Sequence, residues 1–534
     1  MPRVPAILVR RRGNRVSSPD PAGAPLSKGA LARRNIASSA LQSGVSLIAT
    51  IVRLPLVLHA LGPAEFGLWS SVLGVASLSA MADLGLQQAV TQRVAQLRGE
   101  GKVDEVPNVV STAFWLSMLA FAVVASLAIL LLTAATPFSH RAAEAGVAAM
   151  ELRAALLVAC VLSIASQPPK LLVTARFGFE HMYWLNVWAA ASTVLQLGGL
   201  WLLVYAHGGF LAFGAWMMAW DFTAAVGVAV VLLRRHRGVL TVAWSARRRR
   251  AVRPLIANGS AFFFTSIADT MRWSLDSLVI LTILGPTFVT EYQPTVRIYF
   301  VGLSIAPLIF ASLWPSFAES AARGDLDWVA RTFRVAALSV LGAAVIVAAT
   351  MLSLGHDLIL RWVGPAGWAG NGVLFLLGAW FLAATWVEIA TRVVVSLGGT
   401  ASVMRWALAE GVVNLIVSVI LARTIGLVGV ALGSLAGVVL LGMAPMTLRL
   451  RSLSAGRVGV GPAQVVRLFA VAGVAAAPMV FWGLRRNAAL GLPAIVGAAF
   501  LLACVIAALI WRGAFGEEDR RIIRSQLLAA RATA

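Results

Sequence analysis

The chain has 534 residues, 59% of them apolar and 12% charged, with a mean hydropathy of +0.85. Soluble domains average about 45–50% apolar and about 25% charged residues, so this composition excludes an ordinary soluble globule and excludes disorder over most of the length. The apolar runs are continuous and lack period-2 alternation, which excludes a β-barrel and predicts an all-α polytopic membrane protein.

The net charge is +22, from 44 Lys and Arg against 22 Asp and Glu. In a soluble protein that surplus would point to nucleic acid. In an apolar chain it marks the loops that stay in the cytosol, and no nucleic-acid partner is expected. Cys160 and Cys504 lie inside apolar runs, the histidines show no HExxH spacing, and no lysine sits in GxxxxGK[ST]. Neither a metal site nor a cofactor is therefore expected.

In chain order, residues 1–34 are Arg-rich, carry five prolines and read as a basic disordered cytosolic tail. No small-residue cleavage site follows a short apolar stretch, so no signal peptide is expected. Apolar runs then fall at 36–58, 66–90, 108–133, 146–167, 184–205, 209–233, 254–283, 288–314, 332–354, 371–397, 403–424, 426–449, 464–484 and 489–512, about 14 transmembrane helices. The two tails and the even-numbered connections hold most of the basic residues. The odd-numbered connections hold only Arg141, Arg153, Arg361, Arg423, Arg485 and Arg486. This bias places both termini in the cytosol of a cell whose plasma (inner) membrane the chain crosses.

The longest connection, from Arg234 through Arg250, sits near the middle of the chain. Around it lies a repeat. Leu61-Gly62-Pro63 recurs as Leu284-Gly285-Pro286, and Gly101, Asp104 and Val106 recur as Gly324, Asp327 and Val329, both at an offset of 223. Gln196 and Gly208 match Asn414 and Gly426 at an offset of 218. The offset contains six spans, an even number, so the copies are parallel and relate by an axis along the membrane normal. The expected division is a tail (1–34), an N-terminal six-helix lobe (35–233), a basic cytosolic linker (234–253), a C-terminal six-helix lobe (254–449), two additional transmembrane helices (450–512) and a cytosolic tail (513–534), with a central cavity between the lobes.

Charges inside spans cost about 2.5–3.5 kcal/mol each at the bilayer centre and need a reason. Asp269, Arg272 and Asp276 follow i, i+3, i+7 spacing and share one face of the seventh span. That face is a cavity wall in which Arg272 meets an anionic headgroup between two carboxylates, or an ion-pair cluster locking two helices. Arg53, just before Pro55, falls opposite Asp276 under the repeat. Arg297 lies in the outer part of the eighth span. For both, the alternative is snorkelling to the interface. Glu388 and Arg392 are an i, i+4 pair able to neutralise each other. Asp221 and Glu410 have no visible partner. Asp83 is expected to pair with Arg93. Gly456, Gly459 and Gly461 read as a flexible loop. Pro55, Pro294, Pro307 and Pro315 are expected to kink or end spans.

The stretch from Asn35 to Asn108 resembles the N-terminal region of the polysaccharide transporter family, the Wzx-type flippases of the MOP (MATE-like) superfamily. The likeness rests on the LG-x-x-E-[FY]-G-L-W turn (Leu61, Gly62, Glu65, Phe66, Gly67, Leu68, Trp69), the D-x-G-L element (Asp83, Gly85, Leu86) and Arg93, Ala95 and Gly101. It continues more weakly at Gln196–Gly214 and Asn414–Gly433. The resemblance implies two six-helix bundles forming a V-shaped cavity. It also implies flipping of polyprenyl-diphosphate-linked oligosaccharide to the outer leaflet for O-antigen, capsule or exopolysaccharide, alongside a polymerase or glycosyltransferases, with cationic residues holding the diphosphate. Arg53, Arg272, Arg297 and Arg392 are available as substrate-binding residues. Asp269, Asp276, Glu388 and Asp83 are coupling or structural. Two other classes stay open: a cation or drug antiporter of the same superfamily, and a polyprenyl-dependent membrane glycosyltransferase or polymerase. Short, acid-poor outward loops speak against the latter, so a transporter rather than an enzyme is expected.

Overall fold

A computed structural model of the chain describes residues 28–134, 138–177, 183–235, 242–246, 248–485 and 490–521. The described residues are helical and contain no strand. The first half holds α1 (Lys28–Leu61), α2 (Pro63–Ser79), α3 (Leu86–Gly99), α4 (Val106–Ala134), α5 (Ser139–Glu144), α6 (Ala149–Ala165), α7 (Gln167–Phe177), α8 (Tyr183–Tyr205) and α9 (Phe210–Arg235). The second holds α10 (Arg249–Ile283), α11 (Pro286–Leu303), α12 (Ile305–Ala322), α13 (Leu326–Trp362), α14 (Asn371–Ser396), α15 (Thr400–Ile425), α16 (Leu427–Gly437) and α17 (Ala444–Leu453). Then follow α18 (Pro462–Arg485) and α19 (Leu492–Gly513).

Eleven described segments are long and apolar enough to cross a membrane, and the pair Pro462–Val471 and Ala476–Trp482, bent by 42°, makes a twelfth. Some spans are two helices in line. Pro63–Arg98 holds α2 and α3, and Leu427–Leu453 joins α16 to α17 through a π-helical stretch at Val438–Met443. Of the fourteen expected spans, α10 and the α11–α12 pair are not among these described segments. Length is not what they lack: α10 has 35 residues, about 52 Å at about 1.5 Å per residue. These are the helices that carry Asp276, Glu291 and Arg297.

The helix pairings repeat in order. In the first half α1 packs on α8, α2 on α6, α4 on α6 and α6 on α9; in the second α10 packs on α15, α11 on α14, α13 on α14 and α14 on α16. The turns repeat too. Gly62 and Gly285 (φ 78° and 118°) precede α2 and α11, and Gly101 and Gly324 (φ 75° and 79°) follow α3 and α12. Those left-handed values favour glycine. The last two helices lie against α13, where Arg334 pairs with Asp519 at 2.9 Å and Glu518 at 3.1 Å.

Hydrocarbon gives little drive for helix association, so close approach of small residues matters more than in water. Gly429, Gly433 and Gly437 recur every fourth residue along α16. Their missing side chains let α16 lie against Leu421, Ser418 and Asn414 of α15. This brings Asn414 and Ser434 together.

We term the end where α1 begins, which also carries Arg93, Arg98, Lys102 and Arg234, the basic end. The two halves touch towards both ends. Towards the opposite end Gly67 of α2 lies directly on the Pro286 backbone, Thr290 Oγ1 donates to Pro63 O at 2.5 Å, and Arg141 Nη2 donates to Thr282 O and Ile283 O at 2.9 Å each. Towards the basic end Gly85 lies on the backbone of Gly259 and Phe263 in α10. A further link forms at Pro55. It has no N–H, so the carbonyl of Ile51 loses its helical donor, and Trp362 Nε1 from the second half donates to it at 2.8 Å.

Candidate substrate cavity

A cavity of about 740 Å³ lies between the halves, within the range of about 300–1,000 Å³ usual for small-molecule sites. One face of α1 presents Ser43, Ser46, Thr50 and Arg53, at helical spacing. From α2 come Trp69, Ser70 and Ser77; from α10, Asp276 and Ser277; from α11, Tyr292, Gln293 and Arg297; from the step after it, Ser304; from α14, Trp380. Many of these line up under the repeat, Arg53 with Asp276, Trp69 with Tyr292 and Ser70 with Gln293. The wall is thus rich in hydroxyls, with two indoles, two guanidiniums and one carboxylate.

Both arginines are held by glutamines. Arg53 Nη2 donates to Gln196 Oε1 of α8 at 3.0 Å. The other end of that amide is fixed, because Gln196 Nε2 donates to Met217 O at 3.3 Å. Arg297 Nε donates to Gln293 Oε1 at 3.2 Å, and Gln293 Nε2 donates to Ser277 Oγ at 2.8 Å. Arg53 is half-buried, with its Nε enclosed and unpartnered. Arg297 is exposed to the cavity. Arg297 stands close enough for its charge to bear on Arg53. Among the described residues no carboxylate forms an ion pair with either. A neutral acceptor orients a guanidinium without cancelling its charge, so the pair offers a positive site for a phosphate or carboxylate.

Asp276 sits opposite in a cage of neutral donors. Its Oδ2 accepts from Ser434 Oγ at 2.8 Å and Tyr292 OH at 3.1 Å, and its Oδ1 accepts from Asn414 Nδ2 at 3.4 Å. Ser418 Oγ donates to Asn414 Oδ1 at 2.9 Å, which fixes that amide. Among the described residues no group of three His, Cys, Asp or Glu gathers as a metal site.

Residues 32–321 match the sequence profile of a family described as polysaccharide biosynthesis protein. That is more than half of the chain. The chain belongs to the polysaccharide biosynthesis protein family. No curated protein is a match. Among solved structures, this family member is similar to the lipid II flippase MurJ in its inward closed conformation (TM-score 0.60, 12% identity, covering 90% of this chain and 98% of that one). It is also similar to an inward-facing multidrug resistance MATE family transporter of the MOP superfamily (TM-score 0.59, 14% identity, 79% and 99% covered). A MOP superfamily transporter from Pyrococcus furiosus, described as having a binding pocket of reverse polarity, gives a TM-score of 0.55 at 13% identity, with 80% and 96% covered. At these identities the likeness is one of fold: the family member has the architecture of MOP superfamily transporters.

Arg53, Arg297 and Asp276 are therefore brought to one cavity. Asp269 and Arg272 belong to α10, but their side chains lie outside the described residues. Arg392 is not on the cavity wall. It pairs with Glu388 at 3.1 Å along α14, as the i, i+4 spacing predicts. Asp83 does not pair with Arg93. It stands in the 3-10 turn before α3 and accepts the Gln87 N–H at 3.1 Å, capping the helix. Arg93, two turns on, reaches Glu100 at 3.8 Å instead. Asp221 has a partner after all, Lys170, at 2.9 Å. Glu410 is buried against Gly442 of the π-helical stretch. Sequence reasoning missed Gln293 and Ser434, and saw Gln196 and Asn414 only as markers of the repeat. That shared offset was nevertheless the signal that they do the same job.

Proposed function

We propose that the protein flips a polyprenyl-diphosphate-linked oligosaccharide from the cytosolic to the outer leaflet of the bacterial plasma membrane, by alternating access of the cavity between its halves. The observation that carries this reading is the pair Arg53 and Arg297, each oriented by a glutamine and each left with its charge. A diphosphate cannot shed its water into hydrocarbon. Two guanidiniums replace that water with charge-assisted hydrogen bonds. The hydroxyl-rich walls of α1 and α2 suit the sugars, and the lipid tail stays in the bilayer. Surface polysaccharide biosynthesis, with a polymerase or glycosyltransferases as its partners, fits the family. The basic end is the cytosolic end on this reading, because Arg and Lys gather there. Transport needs no enzymatic step.

Asp276 supports coupling to a proton or monovalent cation, since a carboxylate caged by neutral donors is a place where a counter-cation is readily held. Arg272, which the α10 spacing places one turn from Asp276, belongs to the same substrate-binding set in this proposal.

The test is genetic and chemical. Deleting the gene should leave lipid-linked oligosaccharide on the cytosolic face while surface polysaccharide falls. Complementation with Arg53→Ala or Arg297→Ala should restore the protein to the membrane without restoring export. Normal export by both variants would sink the proposed role of the pair. The carboxylate in the cavity favours a second reading, export of a cationic compound in exchange for a cation. Unchanged resistance to cationic dyes on deletion would count against it.

A further inference from the structure

Arg53 stands near a carboxylate that would be expected to take its charge. Asp221 lies on α9 one turn beyond Met217, whose carbonyl accepts from the same Gln196 amide that holds Arg53, and the Asp221 charge reaches the guanidinium. Yet Asp221 is engaged elsewhere, with Lys170 Nζ of α7 donating to its Oδ2 at 2.9 Å. Lys170 keeps 36% and Asp221 52% of its side-chain exposure, near the middle of the α9 span. Charged side chains within spans generally face a bundle interior or a water-filled cavity. The chain has only three lysines, Lys28, Lys102 and Lys170. Lys28 and Lys102 lie outside the apolar spans, whereas Lys170 falls within one, Ala149–Ala175.

We infer that Lys170 is a positioning residue for anion binding: it holds Asp221 away from Arg53, so that the charge of Arg53 is left for a ligand's diphosphate to neutralise. Gln196 completes the arrangement by giving Arg53 an acceptor without a charge. A glutamate in its place would keep the shape and quench the site. The inference rests on the reading of Arg53 as the group that meets the substrate diphosphate. It adds that a neighbouring ion pair, with no contact to the substrate, sets how strongly Arg53 binds. Lys170 as a direct ligand of the diphosphate is the competing explanation, and the two differ in a double variant.

The experiment uses the full-length protein in lipid nanodiscs and farnesyl diphosphate as the probe, with farnesol as the control for the tail. Arg53→Ala should weaken binding about a hundredfold, as truncation of one partner of a charge pair does. Lys170→Met should weaken it about tenfold, equivalent to about 1.4 kcal/mol, because the freed Asp221 turns to Arg53. Asp221→Asn should bind as well as wild type or better. Lys170→Met/Asp221→Asn should return to within about twofold of wild type, the coupling expected of neighbouring sites. A double variant as weak as Lys170→Met alone would overturn the inference in favour of direct contact. Wild-type affinity in Lys170→Met would overturn it outright. Should Lys170→Met fail to fold, Gln196→Glu leaves the ion pair intact and should still weaken binding, and unchanged affinity there counts equally against the inference. If wild type ignores the probe, or Arg53→Ala binds like wild type, the underlying reading of Arg53 fails instead.

Discussion

In the first half of the chain α1 presents Arg53 to Gln196 of α8; in the second half α10 presents Asp276 to Asn414 of α15. The two positions match under the repeat, the helix pairs match, and the amides match, but the charges are opposite. A side-chain amide makes this possible, because its oxygen accepts and its nitrogen donates. Gln196 turns its oxygen to the guanidinium and anchors its nitrogen on Met217 O. Asn414 turns its nitrogen to the carboxylate and receives Ser418 at its oxygen. One scaffold thus carries either sign without rebuilding its backbone. The residues beside the pairs follow suit. Tyr292 donates to Asp276, whereas its counterpart Trp69 has only an N–H to offer, which Arg53 cannot accept, and that N–H is enclosed without a partner.

The most severe way to break this difference is to erase it. Arg53→Asp would put a carboxylate in both halves, with Gln196 able to rotate and donate to it. Truncating one buried partner of a charge pair costs about 2–5 kcal/mol, and reversal adds repulsion. Export of surface polysaccharide should therefore fall below detection while the protein remains in the membrane. Quantifying cell-surface glycan against membrane-inserted protein checks it. Arg53→Lys should retain part of the activity, because it keeps the charge but not the planar fork.

Two of the contacts between the halves are made by glycines at opposite ends of the molecule. Gly67 meets Pro286 towards one end and Gly85 meets Gly259 towards the basic end, each with backbone where a Cβ would go. Overpacking costs about 1–3 kcal/mol, which moves a two-state equilibrium by about 5–150-fold. Gly67→Ala should hold the halves apart at the end away from the basic loops, and Gly85→Ala at the basic end. Gly85 carries an added cost, since its φ of 71° is left-handed. The readout is labelling of Ser46→Cys on the cavity wall by a membrane-impermeant thiol reagent, in a background with Cys160 and Cys504 replaced. The two variants should label from opposite sides of the membrane. Labelling from the same side would show that these contacts are not the two gates.

Much of this architecture was legible in the residues. Continuous apolar runs gave the helices, and the 223-residue offset gave the matched turns, because those turns take left-handed values that favour glycine. Arg53, Arg297 and Asp276 were legible because a charge in a span demands a reason. The roles of Gly67 and Gly85 were not. They appeared only as motif letters, since a glycine whose missing side chain admits another backbone looks the same in sequence as a glycine in a turn. Asp83 was misread for a related reason. A local pairing with Arg93 overlooks the break between them: the chain passes through a 3-10 turn and a left-handed Leu84-Gly85 step, which directs the carboxylate to the Gln87 N–H. Lys170 was hidden because its partner lies 51 residues away on another helix.

Asp276→Asn sharpens the comparison from the other side. The substitution is nearly isosteric and keeps Ser434 and Tyr292 within reach, so the fold should survive. If Asp276 couples transport to a cation, export should fall about tenfold, the effect of about 1.4 kcal/mol, and what remains should lose its response to sodium or proton gradients. Rates in proteoliposomes with and without an imposed gradient decide this. A variant that is slower but equally gradient-driven would leave Asp276 a purely structural role.

The smallest effect is expected at Trp362, and it tests whether the halves are coupled through the bend in α1. Pro55 leaves the Ile51 carbonyl without its helical donor, and the Trp362 indole supplies one from the other half at 2.8 Å. Pro294 in α11 is buried and removes a donor from Thr290 in the same way, so each half carries such a proline in a helix that lines the cavity. Trp362→Phe keeps most of the ring and removes only the N–H, so the cost should be that of one hydrogen bond, about 1 kcal/mol. That is too little to unfold the protein and enough to shift a balanced equilibrium about fivefold. Side-specific labelling of Ser46→Cys should therefore change modestly in the direction of Gly67→Ala, because both changes loosen contacts between the halves. A Trp362→Phe variant that melts earlier without altering labelling would mean that the indole only caps a carbonyl. In that case α1 bends at Pro55 without passing its movement to the second half.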